Sequence, residues 1–120
     1  MKYVVALLAA LSIQVSAHAQ LIPGEKVSTW AASYVKNTTG EAELGQKAEA
    51  MSFITYVIGI AEAYNAAGKI CLPEHTNGGQ LAEVANNYMR ANPDRWSESG
   101  FELISTALVD TYKCKKKSKR

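Results

Sequence analysis

The chain has 120 residues, of which 48% are hydrophobic and 20% charged, and its formal net charge at pH 7 is +2. This length accommodates one domain with one modest core. Residues 20–112 carry eleven acidic and six basic residues, whereas residues 113–120 carry six basic residues and no acidic one, and an acidic body without a nucleic-acid motif argues against binding to nucleic acid.

The first 19 residues follow the pattern of a secretory signal peptide. Lys2 precedes an apolar run over 3–13, and small residues end at Ala17-His18-Ala19. The apolar run has 11 residues, whereas a membrane-spanning helix needs about 20. The pattern therefore predicts cleavage after Ala19 and export, in preference to a membrane anchor or a buried helix.

Apolar spacing predicts four helices and no strand in the rest of the chain. The first three cover about 25–36, 42–67 and 80–91. Asn92-Pro93-Asp94 has the residue types of a helix start, so the fourth helix is predicted from there up to Cys114, with a kink or break at Gly100. Together the elements predict an all-α, four-helix, bundle-like single domain.

The second helix is apolar on more than one face in its second half, which is typical of a helix at the centre of a bundle. Gly59 lies in that half, where glycine costs about 1 kcal/mol relative to alanine. We interpret Gly59 either as the point where another helix crosses closely or as a residue that is merely tolerated.

Cys71 and Cys114 are the only cysteines. In an oxidising compartment, an even number of cysteines without metal-ligand spacing indicates a disulfide. A nucleophilic thiol and a metal site are the alternatives, but a single histidine after residue 19 supplies neither a catalytic set nor four ligands. The disulfide would join the loop after the second helix to the end of the fourth.

The polar residues do not assemble into a catalytic set. His75 lies in a loop beside Glu74, and adjacent side chains point apart. Asn77-Gly78-Gly79 could form a backbone nest for an anion, but the segment lacks the lysine and the preceding strand of a phosphate loop. The sequence is therefore interpreted as a non-enzyme without a cofactor or a metal site.

Several motifs follow one another in a characteristic order. They are Phe53-Ile54-Thr55-Tyr56-Val57-Ile58-Gly59-Ile60-Ala61, Cys71-Leu72-Pro73, Gln80-Leu81, Tyr88, Pro93, Ala107-Leu108, Tyr112 and Cys114. This order, behind a signal peptide, resembles the Rap/Tai family, the immunity proteins that bacteria with type VI secretion keep in the periplasm against peptidoglycan amidase toxins. The resemblance covers about residues 52–114. The chain departs from the family in having Lys113 instead of a proline before the last cysteine, in its basic tail, and in lacking an early cysteine.

The resemblance implies an all-helical inhibitor, often dimeric, that plugs the catalytic cleft of a secreted amidase. The matching motif positions look structural, so the partner-binding residues are predicted on physical grounds. We expect them in the loop held at one end by the disulfide, namely Pro73, Glu74, His75, Thr76, Asn77, Gly78, Gly79 and Gln80. A rigid protruding loop loses little entropy on entering a cleft, and an acidic body would steer toward a basic toxin.

The predicted organisation is a signal peptide over residues 1–19, a Rap/Tai-like domain over 20–114 and a basic tail over 115–120. The predicted function is that of a periplasmic immunity protein. The alternative is a small exported helical envelope protein or binding module without a toxin, whose basic tail contacts anionic surfaces.

Overall fold

The computed structural model describes residues 20–116, so the predicted signal peptide and the last four residues of the basic tail lie outside the described residues. Four α-helices and one turn of 3-10 helix are present, and residues 20–116 contain no strand. The elements are α1 (Gly24–Thr38), α2 (Leu44–Ala66), α3 (Gly78–Ala91), the 3-10 turn Pro93–Arg95 and α4 (Gly100–Thr111). The predicted all-α, four-helix domain is confirmed. None of the described helices is both long enough and apolar enough to cross a membrane.

Polar caps set where three of the helices begin. Glu43 and Gln46 form a reciprocal capping box at the start of α2, as Asn77 and Gln80 do at the start of α3. At the start of α4, the Ser99 side chain accepts a hydrogen bond from the backbone N–H of Glu102. These bonds satisfy backbone N–H groups that have no partner within the helix.

The fourth helix differs from its prediction. Asn92-Pro93-Asp94 starts only a 3-10 turn, and the α-helix begins at Gly100, where a kink or break was expected. The reason is a contact distant in sequence: the carbonyl of Glu98 accepts a hydrogen bond from the N–H of Gly24, and the N–H of Gly100 donates to the carbonyl of Ile22. A continuous helix would need these same backbone groups.

The core forms where α2 packs against each of the other three helices. Fully buried apolar side chains come from all four helices, among them Val27, Phe53, Val57, Ala85, Met89, Leu103, Ile104 and Leu108. The predicted central position of α2 is therefore correct. Its outer side is open, with Met51 56% exposed.

Close backbone approach occurs at Gly24 and Gly100, and not at Gly59. A Cβ on Gly24 would lie 2.6 Å from the carbonyl oxygen of Trp96, and one on Gly100 would lie 2.5 Å from Val27 Cγ2. These two glycines let the first turns of α1 and α4 meet. Gly59 is exposed and a Cβ there would contact nothing, so its interpretation as a crossing point is wrong, because the adjoining face of α2 has no neighbour among the described residues.

The predicted disulfide is present. Cys71 and Cys114 are bonded with a Cα–Cα distance of 4.9 Å, and the described residues contain no free cysteine. The bond fastens the loop after α2 to the chain that follows α4. A backbone hydrogen bond of 2.9 Å from Cys71 N–H to the Tyr112 carbonyl lies beside it.

Candidate functional site

The predicted partner-binding loop runs from the disulfide into the first turn of α3. Its beginning is fixed at two points besides the covalent bond. The N–H of Cys71 donates to the carbonyl of Tyr112, and the N–H of Leu72 donates to Asn65 Oδ1 at 3.1 Å. The loop therefore leaves the body of the protein in a defined direction.

The loop then makes a tight turn from Pro73 to Thr76. The carbonyl of Pro73 accepts hydrogen bonds from both the N–H of Thr76, at 3.3 Å, and its hydroxyl, at 2.6 Å. His75, the third residue of the turn, has a φ of 66°. This left-handed conformation favours glycine, although histidine enters it more readily than most residues. The structure thus holds His75 at the tip in a conformation that costs free energy.

The end of the loop is the capping box of α3. The Asn77 side chain accepts from the N–H of Gln80, and the Gln80 side chain accepts from the N–H of Asn77, both at 3.0 Å. Gly78 follows the cap, and a Cβ there would lie 2.6 Å from Ile58 Cδ1. The glycine lets the start of α3 sit directly on α2. Hydrogen bonds and packing therefore order the loop along its whole length.

A groove lies along this loop, which we call the loop groove. Its volume is about 510 Å³. Its lining residues are Pro73, Glu74, His75, Thr76, Gln80, Glu83, Val84, Asn87 and Tyr112. Five of the eight predicted loop residues thus line it, while Asn77, Gly78 and Gly79 cap and pack the start of α3.

Sequence reasoning missed the four lining residues beyond the loop. Glu83, Val84 and Asn87 follow Gln80 at three, four and seven residues, which is one face of a helix, so helical spacing could have identified them. Tyr112 joins the groove because the disulfide holds the end of α4 beside the loop. Only the pairing of the two cysteines carried that signal.

The loop groove is acidic. Its lining includes the carboxylates of Glu74 and Glu83 and no lysine or arginine. Glu83 also accepts a hydrogen bond from the Tyr34 hydroxyl of α1 at 3.2 Å. Burial of Tyr34 raises the pKa of its hydroxyl, and the neighbouring Glu83 carboxylate raises that pKa further. Such a surface complements a basic partner.

The described residues do not bring metal-ligating side chains together. No group of three or more histidine, cysteine, aspartate or glutamate side chains within residues 20–116 could hold a metal ion. His75 lies in the loop groove with Glu74 and Glu83, and both cysteines are in the disulfide. The loop groove offers a partner polar side chains and the negative charge of Glu74 and Glu83.

The chain matches a known protein family. A family model described as Rap1a immunity proteins matches residues 26–114. No curated protein and no solved structure matches the chain. The matched segment contains all four helices except the first two residues of α1, both cysteines and the whole loop groove.

Proposed function

Because this chain belongs to the Rap1a immunity protein family, we propose that it binds a secreted peptidoglycan amidase of a type VI secretion system and blocks its cleft. The family makes it an immunity protein against a secreted toxin. The amidase, the secretion system and the periplasmic location are the finer parts of the proposal.

The observation that carries the proposal is the order of the loop beside an acidic groove. The disulfide, the Pro73–Thr76 turn and the capping box at Asn77 fix the loop before any partner arrives. Preorganisation lowers the entropy lost on binding. We propose that Pro73–Gln80 enters the toxin and that Glu74 and Glu83 meet basic residues around its cleft.

The disulfide supports export, since such bonds persist in oxidising compartments such as the bacterial periplasm. We propose that residues 1–19 direct the chain there and are removed. Sequencing of the N-terminus of the exported protein tests this step, and a first residue other than Gln20 would contradict cleavage after Ala19.

The proposed function is tested by protection. A peptidoglycan amidase toxin of a type VI secretion system, sought first in the reading frames next to that of this chain, is directed to the periplasm of a host, with and without the chain. We expect the chain to prevent lysis and the purified protein to stop the toxin from hydrolysing peptidoglycan. Lysis in the presence of the exported chain, together with no binding between the two purified proteins, would contradict the proposal.

The loop groove has its own test within that assay. Glu74→Lys with Glu83→Lys reverses its charge, and Glu41→Lys with Glu62→Lys makes the same change on exposed residues outside it. We expect the first pair to weaken toxin binding by about 100-fold and the second to change it little. If both pairs of substitutions weakened toxin binding equally, the toxin would bind outside the loop groove.

The implied homodimer is a further part of the proposal. Leu44 and Met51, seven residues apart on α2, are 85% and 56% exposed, and residues spaced by seven lie on one face of a helix. We propose that a second copy covers this face. Light scattering should give twice the monomer mass, and the Met51→Asp variant should give the monomer mass.

The alternative function depends on the basic tail. Lys113, Lys115 and Lys116 are exposed beyond α4, so they are positioned to touch an anionic polymer or membrane. Truncation after Cys114 separates the two functions. It should leave protection against the toxin intact if the loop groove acts, and it should abolish activity if the tail acts.

A further inference from the structure

A second groove lies between α3 and α1. These two helices are the only pair among the four described α-helices that does not pack closely. The gap, which we call the α1–α3 groove, has a volume of about 350 Å³. Its lining residues are Ser28, Ala31, Ala32, Val35, Lys36, Asn86, Met89, Arg90 and Trp96.

Asn86 in this groove has an unsatisfied hydrogen-bonding group. The residue is only 2% exposed, and its Oδ1 has no hydrogen-bond partner among the described residues. Buried polar atoms are almost always hydrogen-bonded, and an acceptor without a donor destabilises the fold. Oδ1 itself has almost no accessible surface, so a donor can reach it only when the Asn86 amide turns toward the groove that the residue lines.

A single water molecule would fill little of this groove. Its volume is about 350 Å³, whereas one water occupies about 30 Å³ in the liquid. Much of the lining is apolar, as at Ala31, Val35 and Met89. A ligand that brings both apolar atoms and a donor fits better.

The edge of the α1–α3 groove is positively charged. Lys36 and Arg90 line it and no carboxylate does. Within residues 20–116 the only ion pair joins Arg95 to Glu98, so neither cation at the edge is paired there. The groove therefore combines an apolar interior, a buried acceptor and two cations that attract a negative charge.

We propose that the α1–α3 groove binds an acidic polypeptide segment of a protein partner. An apolar side chain of that segment fills the groove, and a following carboxylate reaches Lys36 and Arg90. The Asn86 amide turns toward the groove, so that a backbone N–H of the segment donates to its Oδ1. From Ser28 to Lys36 α1 extends about 12 Å at 1.5 Å per residue, which matches about four residues of extended chain.

This groove cannot take the chain's own basic tail, since Lys36 and Arg90 would repel it. It is also of opposite charge to the loop groove, with which it shares no lining residue. The α1–α3 groove is therefore a second binding site, separate from the proposed contact with the toxin. Its occupant is negatively charged, whereas the toxin cleft at the loop groove is positively charged.

Titration of the isotope-labelled, disulfide-bonded protein followed by NMR tests the proposal. The probe is the blocked tetrapeptide acetyl-Ala-Leu-Asp-Ala-amide. We expect saturable shifts at the amides of residues 28–36 and 86–96, with a dissociation constant on the order of 1 mM. Replacing its aspartate by asparagine, or methylating its leucine N–H, should each weaken binding by about tenfold. Shifts confined to the loop groove, or no saturable shift, would overturn the proposal.

Variants of the protein give the second half of the test. Asn86→Leu should abolish binding of the peptide and raise the melting temperature by about 4–8 °C, because it removes an unpaired acceptor. A fall in melting temperature would show that Asn86 is structural. Lys36→Glu with Arg90→Glu should weaken binding by about tenfold, whereas Lys47→Glu on α2 should leave it unchanged. Equal peptide binding by the Asn86, Lys36/Arg90 and Lys47 variants would contradict the proposal. A doubled mass in light scattering that Asn86→Leu abolishes would also contradict it, because a second copy of the chain would then be the occupant of the groove.

Discussion

The two grooves beside α3 are built in opposite ways. The loop groove is acidic, and its loop is fixed by a disulfide, a hydrogen-bonded turn and a capping box. The α1–α3 groove is apolar with a positive edge, contains an unpaired buried acceptor, and lies between the one pair of described α-helices that does not pack closely. One helix thus lines two grooves of different chemistry and contributes no residue to both. The loop groove is marked as a binding surface by the order of its loop before any partner binds. The α1–α3 groove is marked by a buried polar atom that has no hydrogen-bond partner.

The largest effect on this comparison should come from removing the disulfide. Cys71→Ser with Cys114→Ser frees the unfolded chain from a link that spans 43 residues, which should lower the free energy of unfolding by about 4 kcal/mol in the chain-entropy model. Urea unfolding measures this loss. The damage should be local, with faster amide exchange around the loop groove than around the α1–α3 groove.

Reduction of the unsubstituted protein is the control for that variant. It should reproduce the loss, and reductant should not change the double serine variant further. A loss below about 1 kcal/mol would show that the bond does little to limit the unfolded ensemble. Equal acceleration of amide exchange at both grooves would show that the disulfide stabilises the α1–α3 groove as much as the loop groove.

The next largest effect should come from Gly24→Ala, which acts on the other groove. A Cβ there would meet the carbonyl oxygens of Trp96 and Glu98 at 2.6 and 2.7 Å, and backbone atoms cannot move aside as a flexible side chain does. We expect a loss of about 3 kcal/mol. Because Trp96 lines the α1–α3 groove, NMR shifts should change there and not in the loop groove.

Gly59→Ala is the matched control, since the same substitution on α2 meets nothing within 4 Å. It should stabilise the protein by about 0.5–1 kcal/mol through the higher helix propensity of alanine. Destabilisation by Gly59→Ala would mean that the exposed face of α2 contacts something outside the described residues.

A smaller effect is expected from Asn77→Ala, which removes the side-chain acceptor at the start of α3. The loss should be about 1 kcal/mol in urea unfolding, accompanied by faster amide exchange at the loop. Ser99→Ala removes the corresponding acceptor of α4 and should cost a similar amount without loosening the loop. If both variants weakened toxin binding equally, the order of the loop would not be what matters for the partner.

Local sequence signals predicted the first three helices well because apolar spacing runs through each of them and turn residues lie between them. They failed after Asn92, where the residue types of a helix start were outweighed by hydrogen bonds from Gly24 and Gly100, which join segments more than 70 residues apart. A nearer signal was present in Ser99 followed by Glu102, a helix start in its own right. Contacts between distant segments cannot be inferred from periodicity.

The candidate sites divide in the same way. The loop from Pro73 to Gln80 could be predicted because turn residues and a cysteine mark it locally. The α1–α3 groove could not, since it depends on which pair of helices fails to pack and on one buried amide, Asn86, that helical spacing assigns to solvent. Its charge was equally hidden, because Lys36 and Arg90 come together only in the fold.

The smallest expected effect concerns the end of the α1–α3 groove and depends on pH. Arg95 donates to both carboxylate oxygens of Glu98, at 2.8 and 2.7 Å, and also to the Tyr88 hydroxyl. These hydrogen bonds, with the charge of Arg95, lower the pKa of the Glu98 carboxyl, and they hold the turn from which Trp96 enters the groove. The stabilisation is therefore present above the ordinary glutamate pKa of about 4.3 and is lost as the pH falls through the lowered value.

Glu98→Gln tests this dependence. The variant should unfold slightly more easily than the unsubstituted protein near pH 7, and the difference should shrink below about pH 4. Thermal unfolding followed from about pH 2 to pH 7 measures it, with Glu62→Gln as the control for loss of an exposed carboxylate outside any ion pair of the described residues. The indole N–H of Trp96, which donates to the Met89 carbonyl at 3.0 Å, should shift in the NMR spectrum over the same range while loop-groove amides stay constant. A difference that persists undiminished at low pH would show that the side chain of Glu98 acts through packing, and that the charge of the ion pair does not support this end of the groove.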